Sequence, residues 1–385
     1  MSDRPTTPSR RRVRYLRSVE QVPQLSDREI HRLRQTEQVY AFRANDYYLG
    51  LIDWDDPDDP IRRLVIPDTR EMADFGRLDA SNEADNTVAP GVQHKYRDTA
   101  LILAAPTCAA YCRYCFRKRL FMSENDEARV DLDPAVAYVA RHREITDVLL
   151  TGGDPLVLST DRLVDLVERF AAVEHVRTVR IGSKTVAFNP FRVLDDPALA
   201  AGLGRAARKG AAVYLMAHFD HPRELTAEAR AALQALQQAG VQMVNQCPLI
   251  GGVNDDAQVL TELFRAMTDV GAPQYYLFQG RPTAGNEPYA VPLVAGWRMF
   301  DAARRRCSGL SRRARFAMSH ETGKIEVTGV DRHHIYCRYH RAKDPELESR
   351  TVLCRRDDEA LWYDDLRPAG AAAAAAAEGS SSRRN

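Results

Sequence analysis

From residue 99 onward, short apolar runs alternate with stretches whose apolar residues recur at helical spacing. The runs are "TALILAA" (99–105), "TDVLLTGGDP" (146–155), "VRTVRIGS" (176–183), "AAVYLMAH" (211–218), "GVQMVNQCPLI" (240–250) and "QYYLFQGRP" (274–282). Between them, Val164, Leu166, Val167 and Phe170 predict a helix over 160–173. Leu233, Leu236 and Ala239 predict another over 225–239, closed by Gly240. Six strand–helix alternations argue for parallel strands joined by crossover helices. Polar and reactive residues follow each run: Cys108, Gly152-Gly153-Asp154, Ser183-Lys184, His218, Gln246 and Gln279-Gly280-Arg281. In a (β/α) barrel these positions form the mouth, where active sites sit. The pattern therefore predicts an α/β barrel with chemistry at its C-terminal strand ends.

The flanks read differently. Residues 1–20 are expected to form a mobile basic tail and 21–90 a helical and loop-rich extension. Within the extension, Ser26 and Asp27 suit an N-cap, and Asn45-Asp46 suits a break between two helical pieces. The barrel is assigned to 91–315. Residues 316–366 alternate enough to be strand-rich and are expected to close the barrel opening. The tail from 367 to 385, ending "GAAAAAAAEGSSSRRN", is low in complexity and expected to be disordered.

Composition narrows the function classes. Of 385 residues, 44% are hydrophobic and 28% charged, the balance of an ordinary globular protein. A formal net charge of +1 gives no global basic field, so nucleic acid is not an expected partner. No apolar run approaches the ~18–20 residues that span a membrane. The N-terminal arginines are not followed by the apolar core of a secretory signal, and a cytoplasmic location is expected.

Seven cysteines are present, and three lie in "CAAYCRYCFRKR" (108–119). Cys108, Cys112 and Cys115 are spaced CxxxCxxC directly after a predicted strand. A structural zinc site uses four ligands, and nothing nearby supplies the fourth. Iron–sulfur cubes are held by thiolates, and three thiolates leave one iron with an open position.

At this point the chain resembles the radical S-adenosylmethionine (SAM) superfamily, whose hallmark is this loop after the first barrel strand. The resemblance implies a 4Fe-4S cluster whose open iron binds SAM. Reductive cleavage of SAM there releases a 5′-deoxyadenosyl radical. It also implies a partial (β/α)6 TIM-like barrel, with SAM held by Gly152, Gly153, Asp154, Ser183, His218 and Gln246. Further colinear stretches look like the lysine 2,3-aminomutase family. They are "YYLGLIDWDDPDDPIRRLVIP" (47–67), "PGVQHKYRDTALIL" (90–103), "IGSKTVAFNPFRV" (181–193), "HFDHPRELT" (218–226), "MVNQCPLIGGVND" (243–255) and "YYLFQGRP" (275–282). The likeness covers roughly residues 25–330.

That family also carries pyridoxal 5′-phosphate (PLP). The resemblance implies Lys324, in "SHETGKIEV", as the Schiff-base lysine, although most of the family's glycine run is replaced by Ser319, His320, Glu321 and Thr322. Lys95 and Tyr96 match the segment gripping the cofactor phosphate, while the family's second basic residue there is Thr99. Arg117 matches the arginine that pairs with the substrate α-carboxylate; Lys118 and Arg119 are read as a solvated basic turn. Where lysine aminomutases place an aspartate for the ε-ammonium, this chain has Arg281. A guanidinium there would repel an ammonium, which favours an acidic or neutral substrate side chain. The notable alternative for Arg281 is the PLP phosphate.

The expected activity is thus a 2,3-aminomutase acting on a free amino acid, an isomerase reduced by a reductase or flavodoxin-type donor. Lysine 2,3-aminomutase itself, a PLP-independent radical SAM enzyme and a non-enzymatic electron carrier are the alternatives. No zinc is expected: Cys337 with His333, His334 and His340 is read as ordinary strand residues. The absence of a counterpart to the family's zinc site leaves a homo-oligomer open.

Overall fold

The computed structural model describes residues 13–122, 127 and 131–369. The other residues of the two expected terminal tails lie outside the described residues. A short ribbon pairs β1 (Tyr15–Leu16) with β2 (Ala44–Asn45). The main sheet contains β3 (Thr87–Ala89), β4 (Val92–Tyr96), β5 (Thr99–Ala105), β6 (Asp147–Gly152), β7 (Thr178–Ser183) and β8 (Ala212–Ala217). It continues through β9 (Gln242–Pro248), β10 (Gln274–Phe278), β11 (Arg315–His320), β12 (Gly323–Val330), β13 (His334–Ala342) and β14 (Thr351–Arg355). Spatial order follows chain order across all twelve strands.

Strands β5 to β11 run parallel, and antiparallel strands extend both ends. The expected six parallel strands are therefore joined by a seventh, β11, which the sequence reading placed in the closing segment. The helix Leu293–Arg305 supplies the crossover that makes β11 parallel.

Period-two alternation explains how this sheet can be both packed and hollow. On β6, Val148 and Leu150 are buried against the crossover helices, whereas Leu149 and Thr151 face a central cavity. On β7, Val179 and Ile181 point outward, and Arg180 and Gly182 line the cavity. The predicted helices appear as Thr160–Ala171 and Ala227–Gln238. Leu163, Leu166, Val167, Phe170, Leu233 and Leu236 form their buried faces. Full burial of each such side chain contributes about 1.5–3 kcal/mol.

The N-terminal extension is more than an attachment. Ser26 caps the helix Asp27–Val39 in a capping box with Glu29, and Asn45 caps the turn Asp46–Leu49. A second core joins Leu16, Val19, Tyr48, Ile61 and Leu64 to Ala109, Ala110 and Tyr114 of the cysteine loop. The mobile tail expected over 1–20 is corrected for its described part, because Leu16 and Val19 are buried in this core. Backbone bonds from Tyr111 N to Arg43 O (2.8 Å) and from Arg113 N to Leu64 O (2.9 Å) tie the extension to the loop.

The sheet does not close by backbone pairing. Its two ends meet through side chains: Arg341 pairs with Asp98 and donates Nη1 to Thr99 Oγ1 at 3.2 Å, and Lys95 donates to the His320 carbonyl. This seam makes the sheet a partial barrel. Among the described residues no helix is long and apolar enough to cross a membrane.

Candidate active site

One cavity of about 360 Å³ gathers the predicted chemistry. Its lining includes Cys108, Cys112 and Cys115, then Gly152, Gly153, Asp154, Ser183, His218 and Gln246. Lys95, Tyr96, Arg117, Arg281 and Lys324 line the same space. Strand ends and the two terminal hairpins bring together residues that lie far apart in the chain.

At the mouth, the loop after β5 folds tightly, with Cys115 N donating to Cys112 O at 3.1 Å. Among the described residues, only His94, His142 and Glu144 place three ligand atoms within 4.8 Å of one another. Cys108, Cys112 and Cys115 are not such a set, so at least one pair of these thiols lies farther apart than 4.8 Å. A 4Fe-4S cluster asks for no closer approach, because each thiolate sits on its own iron. Burial pushes all three thiols up, so a bound metal is what would hold them as thiolates.

The glycine-rich end of β6 lies against this loop. A Cβ on Gly153 would fall 2.2 Å from Thr107 O, and Gly152 has φ of +114°, so both positions require glycine. Asp154 lines the cavity with the two glycines, and its carboxylate is engaged within the protein. Its Oδ2 accepts from Ser183 Oγ (2.9 Å), Lys184 N (2.8 Å) and Thr185 N (2.8 Å), and its Oδ1 accepts from Leu156 N (2.9 Å). The carboxylate straps two strand ends together and leaves the backbone as the surface offered to a ligand.

Sequence reasoning missed the polar network behind the cysteines. Tyr114, between Cys112 and Cys115, donates to Asp220 and meets His218 Nε2 at 3.0 Å. Lys184 bridges Asp220 Oδ2 (2.7 Å) and Glu224 Oε1 (2.5 Å), and Tyr48 donates to Glu224 at 2.5 Å. Burial alone would lower the pKa of Lys184, but these two carboxylates outweigh it and raise it. The clustering of acids in "HFDHPRE" was the available signal.

Arg117 is not a free clamp. Glu83 accepts from its Nε (2.9 Å) and Nη2 (2.6 Å), and Thr151 Oγ1 accepts from Nη1 at 3.2 Å. Burial raises the Glu83 carboxyl, but Arg117 and Arg119 outweigh it and hold it well below the usual carboxylate range. The solvated turn expected at Lys118 and Arg119 is also corrected. Lys118 is buried, lies 4.5 Å from the centre of the Tyr40 ring and donates to Gly285 O. Arg119 pairs with Glu83 and Glu127. The N-terminal extension covers this turn, which is why its charges need internal partners.

The far end of the cavity has a different character. Lys324 projects from β12 with its Nζ 4.4 Å from the Tyr276 ring centre. Burial lowers its pKa to about 7, with Arg180, Arg341, Lys95 and Arg281 adding to the effect. Burial and Arg281 likewise lower Lys95 to about 7. Arg281 lies over Phe116 at 3.7 Å, and its buried Nη1 has no hydrogen-bond partner. Burial lowers this guanidinium to about 10. Tyr96 lines the wall with its hydroxyl buried and unpartnered. Among the described residues no carboxylate ion-pairs with Lys95, Arg281 or Lys324.

Comparison with known proteins identifies the lineage. Residues 97–188 match a 4Fe-4S single cluster domain. A protein of Aquifex aeolicus named "Putative L-lysine 2,3-aminomutase" is 47% identical over 92% of this chain and 95% of its own. The L-lysine 2,3-aminomutase of Fusobacterium nucleatum is 32% identical over 77% of this chain and 69% of its own. The glutamate 2,3-aminomutase of Clostridioides difficile is 29% identical over 78% of this chain and 70% of its own. By these likenesses, and with a cysteine loop at the mouth of a partial barrel, the chain belongs to the lysine 2,3-aminomutase family of radical SAM enzymes.

Proposed function

We propose that this protein is a PLP-dependent 2,3-aminomutase that moves the α-amino group of a free amino acid to Cβ. An acidic or neutral side chain is favoured over the ammonium of lysine. The observation carrying this reading is the set of cavity cations without an ion-pair partner among the described residues, above all Arg281 with its buried, unpartnered Nη1. A buried guanidinium group without a partner asks for an acceptor, best an anionic one.

The residues fit the groups the family uses. Cys108, Cys112 and Cys115 would hold the 4Fe-4S cluster, and the Gly152-Gly153 backbone with Ser183, His218 and Gln246 would border SAM. Lys324 would hold PLP, with Lys95 and Tyr96 on the adjoining wall. When bound, the cluster and SAM supply a hydrogen-abstracting radical, and PLP supplies the π-system through which nitrogen migrates.

The chain's own residues set up that chemistry. Lys324, lowered to about 7, offers a neutral amine at physiological pH, as a nucleophile must. Arg281 orients a carboxylate next to Phe116, one residue past the last cluster cysteine. Glu83 fixes Arg117 so that Nη1 faces Thr151 on the cavity wall. The N-terminal core over Ala109, Ala110 and Tyr114 keeps water from the loop. The single electron would come from an external reductase or flavodoxin-type donor.

A second reading, lysine as substrate, is favoured by the names of the Aquifex and Fusobacterium relatives. The two part in one experiment. Anaerobically reconstituted protein is given SAM, PLP, reductant and each deuterated amino acid in turn, and deuterium in 5′-deoxyadenosine is measured. Glutamate or another acidic or neutral amino acid is expected to transfer label ahead of lysine. Transfer from lysine alone would overturn the side-chain preference, and no SAM cleavage with an intact cluster would overturn the activity.

A further inference from the structure

We infer that Arg341, on the penultimate strand of the sheet, is a binding residue for the phosphate of PLP. The inference rests on the cofactor reading above and goes beyond it in assigning a residue that motif matching does not reach.

Register places Arg341 on β13 opposite Lys324 on β12. Directly opposed residues of an antiparallel pair project from the same face of the sheet, so the guanidinium flanks the cofactor lysine. Both side chains line the cavity. Arg341 lies over the Tyr96 ring at 4.5 Å and donates Nη1 to Thr99 Oγ1 at 3.2 Å. Its Nη2 goes to Asp98, a carboxylate with which an incoming phosphate would compete, while its remaining hydrogens stay available. Lys95 enters from the neighbouring stretch of β4, and Arg180 lines the cavity from β7. A phosphate dianion attached to a group on Lys324 would find here a forked donor, a hydroxyl and a second cation.

The geometry also separates Arg341 from Arg281. Arg281 sits over Phe116 beside the cysteine loop and feels the Glu83 charge, whereas Arg341 sits at the seam beside Thr99. The two arginines thus divide the work, with Arg281 left to the substrate and Arg341 to the cofactor.

The test compares PLP with pyridoxal, which lacks the phosphate, by titrating the full chain and following the lysine-linked chromophore. Arg341→Gln is expected to weaken PLP binding about tenfold or more and to leave pyridoxal binding unchanged. Adding Thr99→Arg to that variant should restore PLP binding, because a guanidinium at 99 starts from the same spot. Asp98→Asn alters a half-exposed residue and removes a competing carboxylate. It should tighten PLP binding about two- to fivefold, again without effect on pyridoxal. An unchanged ratio of PLP to pyridoxal affinity in both Arg341→Gln and Asp98→Asn, with the parent binding PLP, would overturn the phosphate assignment alone. A parent chain that captures no PLP would overturn the cofactor reading and this inference together.

Discussion

The two ends of the cavity handle positive charge in opposite ways. At the cysteine end each buried cation has its acid: Lys184 has Asp220 and Glu224, Arg113 has Glu71, and Arg117 shares Glu83 with Arg119. From there towards Lys324, three cations without an ion-pair partner among the described residues rest on rings instead. Lys324 lies over Tyr276, Arg281 over Phe116 and Lys95 over Tyr96. A ring face attracts a cation without neutralising it, so the charge stays available to an incoming anion. Ion-paired cations behind the cysteines brace the fold, whereas the ring-stacked cations are the ones proposed to meet an anion; Arg341, paired with the half-exposed Asp98, stands between the two.

The largest effect should come from the cysteine end. Cys112→Ala is expected to abolish 5′-deoxyadenosine formation and the cluster's EPR signal, since two thiolates cannot replace three. Next, Lys324→Ala should remove the lysine-linked PLP absorption and reduce turnover by about 10²-fold or more. The comparison itself is sharpest in a matched pair of variants. Lys184→Met leaves Asp220 and Glu224 buried without their cation and should lower unfolding stability by about 3–5 kcal/mol. Arg281→Met removes an unpaired buried charge, so stability should stay within about 1 kcal/mol while the substrate KM rises. Equal destabilisation by both in urea titrations would break the distinction. The smallest effect concerns pH. Lys324 is protonated below its lowered pKa of about 7. PLP capture should therefore quicken as pH rises to about 7 and then level off, where an ordinary lysine would keep gaining towards ~10. A capture rate still climbing at pH 9 would contradict the burial argument.

Much of this was legible in the sequence because strand periodicity and local spacing are short-range signals. Cys108, Cys112 and Cys115 share one loop, and Gly152 and Gly153 end one strand, so neighbours in sequence stay neighbours in space. The six apolar runs appeared as strands for the same reason. What escaped notice depends on contacts between distant segments. Glu83 lies in an unremarkable loop, and only folding shows that it occupies the fork of Arg117. Lys184 follows β7, while Asp220 and Glu224 lie in the loop and the short Pro222–Glu224 turn after β8, and the parallel pairing of these two strands brings them together. The strand β11 was misplaced because its crossover helix, "LVAGWRMFDAARR", was not singled out. Arg341 gave no motif at all; its meaning comes from its partner across the ladder.

The seam between Arg341 and Thr99 joins positions 242 residues apart. During synthesis the cysteine loop leaves the ribosome long before β12 and β13 exist. At about 5–20 residues per second, the delay is on the order of tens of seconds. Throughout that interval the nascent chain offers three thiols but lacks the wall that carries Lys324 and Arg341. A chain cut short before β13 would keep the three cysteines and lack Arg341, one of the residues proposed to hold PLP. On the cofactor reading proposed above, retention of PLP would report that synthesis had passed β13, a milestone that the iron ligands alone do not mark.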